Sequence, residues 1–391
     1  MNHLLDVIKS LEEYITKENF KGYDPYDTLN SRIPFHWFGI LGQRIAIQFQ
    51  KRNPINIRPL IGVKKFRSTK GMGLLLSAYL NIYSYSKDQS LLVKIEEIKN
   101  WLLTNVTSYK NTLCWGYDYP YSTSEGNLQK NFPTVIHHSY IIRALFEYYE
   151  LFGDEEILNL IKKSEQFVII NLKINKFSEG VCFSYNPIAE GCCYNANMHA
   201  AECLSRVYYF TKDKKLYDLI IEAVDFITSM QKEDGSWYYS FKKYGDTERK
   251  QIDFHQGFIL ESYCEIINLI GEEKESWKNA IKKGINFYYL KQFQQSGKSL
   301  WRLPRKYPVD IHNQSQGIIT FSKLSKYNKA FKPFANKIAY WTIKNMRNCN
   351  EGYFYYRMNK FFINKISYMR WSQSWMFLAL SELILLNNQK D

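Results

Sequence analysis

The sequence has no apolar run long enough to cross a membrane, which needs about 18 residues. Its richest apolar stretch, residues 375–386, is shorter and contains Glu382. Residues 1–14 carry acids and lack the apolar core of a signal peptide. We therefore predict no transmembrane segment, no secretion signal and a cytoplasmic location.

Cysteine is also scarce, with seven among 391 residues, and an odd number is typical of reduced thiols in a cytoplasm. Cys114, Cys192, Cys193 and His199 are a conceivable zinc set, but they lack the closely spaced cysteine pair of structural zinc sites. The sequence contains no phosphate-binding glycine loop and no Gly-x-Ser-x-Gly turn. We predict no metal ligand and no cofactor.

Linker-like segments are missing too. The ten prolines do not cluster, and no stretch is rich in Gly and Ser. Aromatic residues make up 17% of the chain, which is typical of a protein with a packed core. We therefore predict a single domain over residues 1–391.

The formal net charge is +14, with lysines scattered along the chain. One interpretation is a solvated basic surface, and the other is attraction to an anionic partner such as an acidic glycan, a sugar nucleotide or a lipid head group. No segment interleaves basic and aromatic residues as nucleic-acid modules do, so we predict no nucleic-acid partner.

A repeat of about 60 residues organises the chain. Six apolar helical segments begin with polar or small residues, at steps of 57 to 66 residues. A turn, a more charged amphipathic helix and a short Gly–aromatic tail follow most of them, as at Gly235 to Tyr239. The markers of the six starts are Gly71, His137, Asn197, His255, His312 and Trp371.

The two ends of the chain complement each other. The first segment, Leu4 to Glu18, has the pattern of an outer helix with no inner helix before it. The last segment, Arg370 to Leu386, has the pattern of an inner helix with no outer helix after it. Pairing them closes a ring, whereas an open solenoid would need polar caps. We predict an all-α fold, an (α/α)6 toroid or barrel of six helical hairpins closed by the N-terminal and C-terminal helices. An insertion at about residues 32–70 is expected to form a lid over one face.

This arrangement resembles the (α/α)6 barrel of the six-hairpin glycosidase superfamily, which includes unsaturated glucuronyl hydrolases. Three segments also resemble an uncharacterised bacterial group associated with surface-polysaccharide biosynthesis: GYDPYDTLNS at 22–31, DFHQG at 253–257 and PVDIHNQSQG at 308–317. The resemblance implies a carbohydrate or sugar-conjugate substrate, anionic in our expectation.

A local segment, NANMHAAE at residues 195–202, is similar to the N-x-x-M-H-x-x-E helix start of N-acylglucosamine 2-epimerases. The resemblance implies that His199 faces a sugar and that Glu202 supports it. The chain departs from that family in two places. Phe258 stands where an H-x-x-E pattern beginning at His255 would have Glu, and residues 368–371 contain no histidine.

Two D-x-H segments carry the strongest candidate chemistry. Asp253 and Asp310 each precede a histidine by two residues at an inner helix start. Each aspartate could be an N-cap or one of the two carboxyl groups that flank a glycosidic bond during hydrolysis. The histidines could transfer protons or bind sugar hydroxyls. The predicted catalytic residues are Asp253, Asp310, His255, His312 and His199.

The remaining candidates line the same predicted rim. Arginines there suit a carboxylate or phosphate, and tryptophans suit a sugar ring. The predicted substrate-binding residues are His137, His138, Asn195, Asn197, Glu202, Gln256, Asn313, Gln314, Arg302, Arg370, Trp371, Asp24, Asp27, Asp118 and Tyr117.

The sequence thus favours a carbohydrate-active enzyme, with a glycoside hydrolase using paired carboxylates as the leading hypothesis. A sugar epimerase or isomerase using the rim histidines is the second hypothesis. A non-catalytic glycan-binding barrel in a polysaccharide-biosynthesis assembly is the third. The oligomeric state stays open.

Overall fold

The computed structural model describes residues 2–123, 126–242 and 247–388. Thirteen α-helices lie in this part of the chain: α1 (Asn2–Lys17), α2 (Gly39–Arg52), α3 (Thr69–Ser86), α4 (Leu91–Thr104), α5 (Val135–Phe152), α6 (Glu155–Lys163), α7 (Tyr194–Thr211), α8 (Lys214–Ser229), α9 (His255–Ile270), α10 (Glu275–Phe287), α11 (Ile311–Lys323), α12 (Phe331–Met346) and α13 (Trp375–Asn388). None of the described helices is long and apolar enough to span a membrane.

Six helices, α3, α5, α7, α9, α11 and α13, form the inner ring, and each packs against the next. They are buried over most of their length, as their all-round apolar character predicts. The last pair, α13 and α3, also pack together, so the ring is closed. The outer layer consists of α4, α6, α8, α10, α12 and α1.

The pairing of the chain ends is confirmed. One face of α1 is buried, and this helix packs against α13. The Tyr14 hydroxyl donates to Ser367 Oγ at 2.8 Å, and Tyr23 forms a parallel bridge with Tyr368. The predicted (α/α)6 barrel of six hairpins is therefore the observed fold.

The connections between the helices form the β-structure, and β6 lies within a Gly–aromatic tail. Short antiparallel pairs join β1 (Thr107–Tyr109) to β2 (Thr112–Cys114), β3 (Tyr121–Ser122) to β4 (Asn127–Leu128), and β5 (Ile174–Phe177) to β6 (Gly180–Phe183). Two three-stranded sheets contain β7 (Cys192–Cys193), β8 (Ser240–Lys242) and β9 (Thr247–Arg249), and β10 (Val309–Asp310), β11 (Arg357–Met358) and β12 (Ile363–Asn364).

Glycine is required in four of these tails. Gly180, Gly235, Gly297 and Gly352 all have positive φ, and a Cβ at each would lie 2.1 to 2.7 Å from a backbone oxygen of the neighbouring outer helix. For Gly352 that oxygen belongs to Ser10 in α1. The repeated glycine therefore allows each tail to pack directly on an outer helix, including at ring closure.

The insertion contains the added helix α2, preceded by the 3-10 turn Phe35–Phe38. It also carries the loop that returns to α3. Gln48 and Lys51 of α2 reach the cavity described below, so the insertion forms part of its wall. A closing movement of this segment stays a prediction.

Candidate active site

A cavity of about 610 Å³ opens where all six inner helices begin. Because each inner helix runs away from this end, residues at the first turn of each can face one space. Lys70, His137, Asn195, His255 and His312 come from the starts of five inner helices. The other polar and aromatic lining residues are Tyr26, Gln48, Lys51, Tyr117, Tyr119, Tyr121, Thr123, Tyr185, Asn186, Tyr239, Ser240, Thr247, Glu248, Arg249, Gln251, Phe254, Phe258, Trp301, Arg302, Arg357, Arg370 and Trp371.

His255 is oriented by Asp253. The imidazole Nδ1 lies 2.5 Å from Asp253 Oδ1, and the carboxylate also accepts from Gln251 Nε2 at 2.6 Å. Burial would raise the pKa of Asp253, but the neighbouring His255 and Arg302 outweigh burial and hold this pKa below its usual value. An ionised Asp253 therefore keeps the proton on Nδ1 and leaves Nε2 available toward the cavity.

His312 lies in an aromatic enclosure beside His255. Its ring stacks on Phe254 with centroids 4.5 Å apart, and Phe254 stacks on His255 at 4.3 Å. Trp371 and Trp375 lie within 4.6 Å of the His312 ring. Burial, with Lys70 and Arg370 nearby, holds the pKa of His312 well below its usual value. Neither ring nitrogen has a hydrogen-bond partner among the described residues, so both stay available to a ligand.

His137 is a third cavity imidazole. Its Nδ1 lies 2.7 Å from the hydroxyl of Thr134, the N-cap of α5, and its Nε2 has no partner in the described chain. Burial and Arg370 hold the pKa of His137 well below its usual value. The ring therefore offers a neutral nitrogen beside Tyr117, whose ring centroid lies 5.1 Å away.

Lys70, which the sequence reasoning did not select, lies at the start of α3 and is 5% exposed. Its Nζ lies 4.4 Å from the ring centroid of Tyr140, 5.1 Å from Trp375 and 5.9 Å from Phe258. No carboxylate within the described residues forms an ion pair with it. Burial and Arg370 lower the pKa of Lys70 well below its usual value, which favours an uncharged amine.

Two arginines face the cavity with carboxylates behind them. Arg370 makes a two-pronged contact with Asp24, at 2.6 and 2.9 Å, and Arg357 Nε lies 2.6 Å from Asp310. Asp310 also accepts from Trp371 Nε1 at 2.9 Å. Both aspartates are buried and lie outside the cavity lining.

Asp310 is therefore the N-cap of α11, and it also binds two side chains that line the cavity. Its Oδ1 accepts from the backbone N–H of His312 at 2.9 Å, which was one of the two roles that its position allowed. Oδ1 thus accepts from both His312 and Trp371, and Oδ2 accepts from Arg357. Asp253 and Asp310 both lie outside the cavity lining, and their pairing as facing acid and base stays a prediction.

Four side-chain amides that were predicted to bind substrate form hydrogen bonds with the backbone of the Gly–aromatic tails. Gln256 accepts from Trp237 N at 2.9 Å and donates to Trp237 O at 2.7 Å. Asn197 binds the tail at Phe183 in the same manner, and Gln314 and Asn313 bind the tail at residues 297–301. None of these four side chains lines the cavity, and substrate binding by them stays a prediction.

Five further candidates also lie outside the cavity lining. His199 and Glu202 belong to a buried network in which Arg143 Nη2 lies 2.7 Å from Glu202 Oε1. His138 lies 3.1 Å from the Ser164 carbonyl. Asp27 pairs with Arg58 at 2.7 Å, and Asp118 accepts from Ser68 and Thr69 at 2.8 Å, with burial raising the pKa of each carboxyl to about 6.

Of the predicted residues, eight line the cavity: His255, His312, His137, Asn195, Arg302, Arg370, Trp371 and Tyr117. Several further lining residues were not predicted from the sequence, including Lys70, Lys51, Arg357, Arg249 and Glu248. A signal existed for Lys70. It directly precedes the marker Gly71, and the residues before four of the other five markers are apolar. Lys51 and Arg357 gave no such signal, because they come from the insertion and a tail.

The charges of the cavity wall are mostly positive. Four arginines and two lysines line it, namely Arg249, Arg302, Arg357, Arg370, Lys51 and Lys70. In the described part of the chain, Glu248 is the one carboxylate in this lining, and its side chain pairs with Lys232 at 2.6 Å. No group of three or more His, Cys, Asp or Glu in the described residues is placed to hold a metal ion.

No protein-family model and no curated protein matches this chain. Solved structures match its fold along most of its length. The chain shares the (α/α)6-barrel fold with solved structures of enzymes from more than one reaction class.

A cellobiose 2-epimerase from Bacillus thermoamylovorans superposes with a TM-score of 0.66 and 12% identity, covering 97% of this chain and 99% of that chain. An α-mannanase of glycoside hydrolase family 76 from Bacteroides thetaiotaomicron gives 0.62 and 13%, over 82% and 88%. A possible member of glycoside hydrolase family 105 from Salmonella enterica gives 0.62 and 12%, over 99% and 94%.

Proposed function

We propose that this chain is a carbohydrate-processing enzyme that transfers a proton at the carbon next to a sugar carbonyl, as a sugar epimerase or isomerase does. The observation that carries the proposal is His255, which Asp253 orients toward a cavity where the described lining holds one carboxylate and three imidazoles. Imidazoles suit proton abstraction near neutral pH. Solved structures with this fold include a cellobiose 2-epimerase and a sugar epimerase.

Lys70 is the second base in this proposal. Epimerisation removes a proton from one face of a carbon and returns a proton to the other face, so bases on two sides of the cavity suit it. The helices α3 and α9 lie opposite each other in the ring, separated by two inner helices on either side. Lys70 and His255 begin these helices, and a lysine whose ammonium form is disfavoured by burial is suited to act as a base.

An anionic sugar fits the cavity best. The cations face the cavity, while the carboxylates that balance Arg357 and Arg370 are buried behind them. Positive groups beside the substrate would bind a carboxylate or phosphate and would stabilise the enediolate formed when the proton leaves. From the odd number of cysteines we propose a cytoplasmic location, and from the sequence resemblance we propose a role in surface-polysaccharide production.

Glycoside hydrolysis is the second candidate function. Glu248 lines the cavity, and hydrolases of two families share the fold. Hydrolysis by paired carboxylates requires two such groups flanking the bond. Glu248 has no second carboxylate facing it in the described lining, which is why we rank proton transfer first. A purely glycan-binding barrel would give saturable binding and no product.

The test is solvent exchange. Wild-type protein is incubated in D2O with glucuronic acid, glucose 6-phosphate, cellobiose and N-acetylglucosamine, and proton NMR follows the hydrogen at the carbon beside the carbonyl. We expect deuterium to enter this position, faster in the two anionic sugars. Asp253→Asn should slow exchange by about 100-fold or more, whereas Asp213→Asn, at an exposed helix cap, should not.

Two results would contradict the proposal. One is the absence of label in all four sugars. The other is exchange at an unchanged rate in Asp253→Asn. Release of new reducing ends from an oligosaccharide, without any label at carbon, would favour hydrolysis.

A further inference from the structure

Helix α2 in the insertion has its polar and apolar faces reversed. Its buried residues are Gln43, Ile47 and Gln50. On the outside, Leu41, Ile45 and Phe49 follow one another at four-residue spacing and are 68%, 59% and 62% exposed. A helix of a soluble domain normally buries such a stripe, so this one is free to meet another surface.

The loops beside α2 extend the apolar surface. Trp37 is 77% exposed and Leu60 is 86% exposed, so their side chains project from the protein instead of lining a groove. The other exposed apolar residues of the insertion are Ile33, Phe38, Ile40 and Ile55. Together with α2 they form what we call the insertion face.

The insertion face is surrounded by positive charge. No acidic residue occurs between Asp27 and Asp88. The exposed basic residues of the insertion, at about residues 32–70, are Arg32, Arg44, Arg52, Lys64 and Lys65, of which Lys65 pairs with Glu18. The insertion thus combines protruding apolar side chains with charged side chains that are all basic.

A second element has the same character. The turn between β11 and β12 carries Phe361, which is 87% exposed, and Phe362, with Lys360 before them. This hairpin contacts the end of α2, because the Asn364 side chain donates to the Asn53 carbonyl at 3.2 Å. Two separate segments therefore present aromatic and basic residues in one region.

We propose that the insertion face docks on the surface of a membrane that contains anionic phospholipids. Projecting Trp, Phe and Leu side chains with Lys and Arg beside them are the features by which interfacial helices enter the head-group layer. Anionic lipids add attraction for each nearby base. A second copy of this chain is a poorer occupant, since two insertion faces of the same charge would repel each other.

Docking would bring the cavity close to the lipid surface. Gln48 and Lys51 of α2 line the cavity, while Leu41, Ile45 and Phe49 of the same helix face outward. The membrane would therefore bind on the outer side of one cavity wall. The docking surface uses none of the proposed bases and is independent of the reaction.

Co-sedimentation with vesicles tests the proposal. The full chain is mixed with vesicles of phosphatidylcholine containing about 30% phosphatidylglycerol, or with pure phosphatidylcholine vesicles. We expect binding to the anionic vesicles that falls at least tenfold on the neutral ones and weakens with added salt. The triple variant Trp37→Ser, Leu41→Ser, Phe49→Ser should lose this binding. Val93→Ser, an equally exposed apolar position on α4, should keep it.

Sedimentation velocity of the same variants supplies the second measurement. The proposal is overturned if the wild type does not bind anionic vesicles, or if the triple variant binds them as well as Val93→Ser does. It is also overturned if the wild type is a dimer that the triple substitution converts to a monomer. Circular dichroism and thermal melts establish that each variant is folded before binding is compared.

Discussion

Three buried aspartates hold cavity residues in position from behind: Asp253 orients His255, Asp310 binds Arg357, and Asp24 binds Arg370. In each pair the carboxylate lies outside the lining and its partner lies inside. The sequence identifies D-x-H pairs at inner helix starts, but it does not reveal which member faces the cavity. That depends on Arg357, Arg302 and Trp371, which come from other parts of the repeat.

Among single residues, Lys70 provides the clearest prediction, which concerns the effect of its buried amine on stability. Its pKa is lower in the folded protein than in the unfolded chain, because burial and Arg370 disfavour the ammonium form. The unfolded chain therefore binds more protons below about pH 10.5, and the cost to stability grows as pH falls from there toward the folded pKa. Lys70→Met should raise the urea midpoint at pH 7, and the gain should shrink at pH 10.

The matched control is Lys214→Met, whose side chain is 76% exposed and whose effect should stay within about 0.5 kcal/mol. A lower midpoint for Lys70→Met at pH 7 would contradict the uncharged amine. It would indicate an ammonium ion stabilised by the rings of Tyr140 and Trp375.

At the scale of elements, the repeat was predictable because both helix types leave a periodic pattern. The turn predicted after an inner helix begins with a left-handed C-cap at Gly153, Lys212 and Gly271. The insertion was predictable only as extra length. Its exposed stripe could not be foreseen, since Leu41, Ile45 and Phe49 have the spacing of an ordinary buried face.

The side-chain amides show a second limit of sequence reasoning. Gln256 and Gln314 lie one and two residues after the markers His255 and His312, and both were predicted to bind substrate. Their role is indeed shared, but it is to bind the tail backbone. Periodicity identifies equivalent positions and does not distinguish a structural use from a chemical one.

The tail glycines give the prediction for elements. Gly352→Ala places a Cβ 2.3 Å from the Ser10 carbonyl oxygen at a φ of 84°, whereas Gly271→Ala meets nothing within 4 Å at a φ of 75°. Both substitutions should cost about 1–2 kcal/mol for the backbone conformation. Gly352→Ala should cost about 1–3 kcal/mol more from the close contact with α1.

Urea unfolding of the two variants measures this difference. Equal losses would mean that the tail is not pressed against α1, and would contradict the close packing at ring closure. A larger loss for Gly271→Ala would contradict it as well.

At the scale of the whole molecule, ring closure determines which residues can act together. Lys70 and His255 are far apart in sequence, yet they begin helices on opposite sides of one cavity. The Lys70 amine reaches to 5.9 Å from the ring of Phe258, which belongs to α9. The closed ring and the shared rim were predictable from the sequence, while the proposed pairing of Lys70 with His255 required the side-chain geometry.

Hydrogen exchange of each epimer by each single-base variant shows most directly whether Lys70 and His255 act on opposite faces of the sugar. The sugar that exchanges fastest in D2O and its epimer at the same carbon are each incubated with Lys70→Met and with His255→Asn. If the two bases serve opposite faces, each variant should lose exchange of one epimer by about 10²–10⁴-fold and retain exchange of the other, with the retained epimer reversed between the variants. The two-base mechanism would be contradicted if either variant lost exchange of both epimers alike. Exchange of both epimers at the wild-type rate by Lys70→Met would contradict it as well.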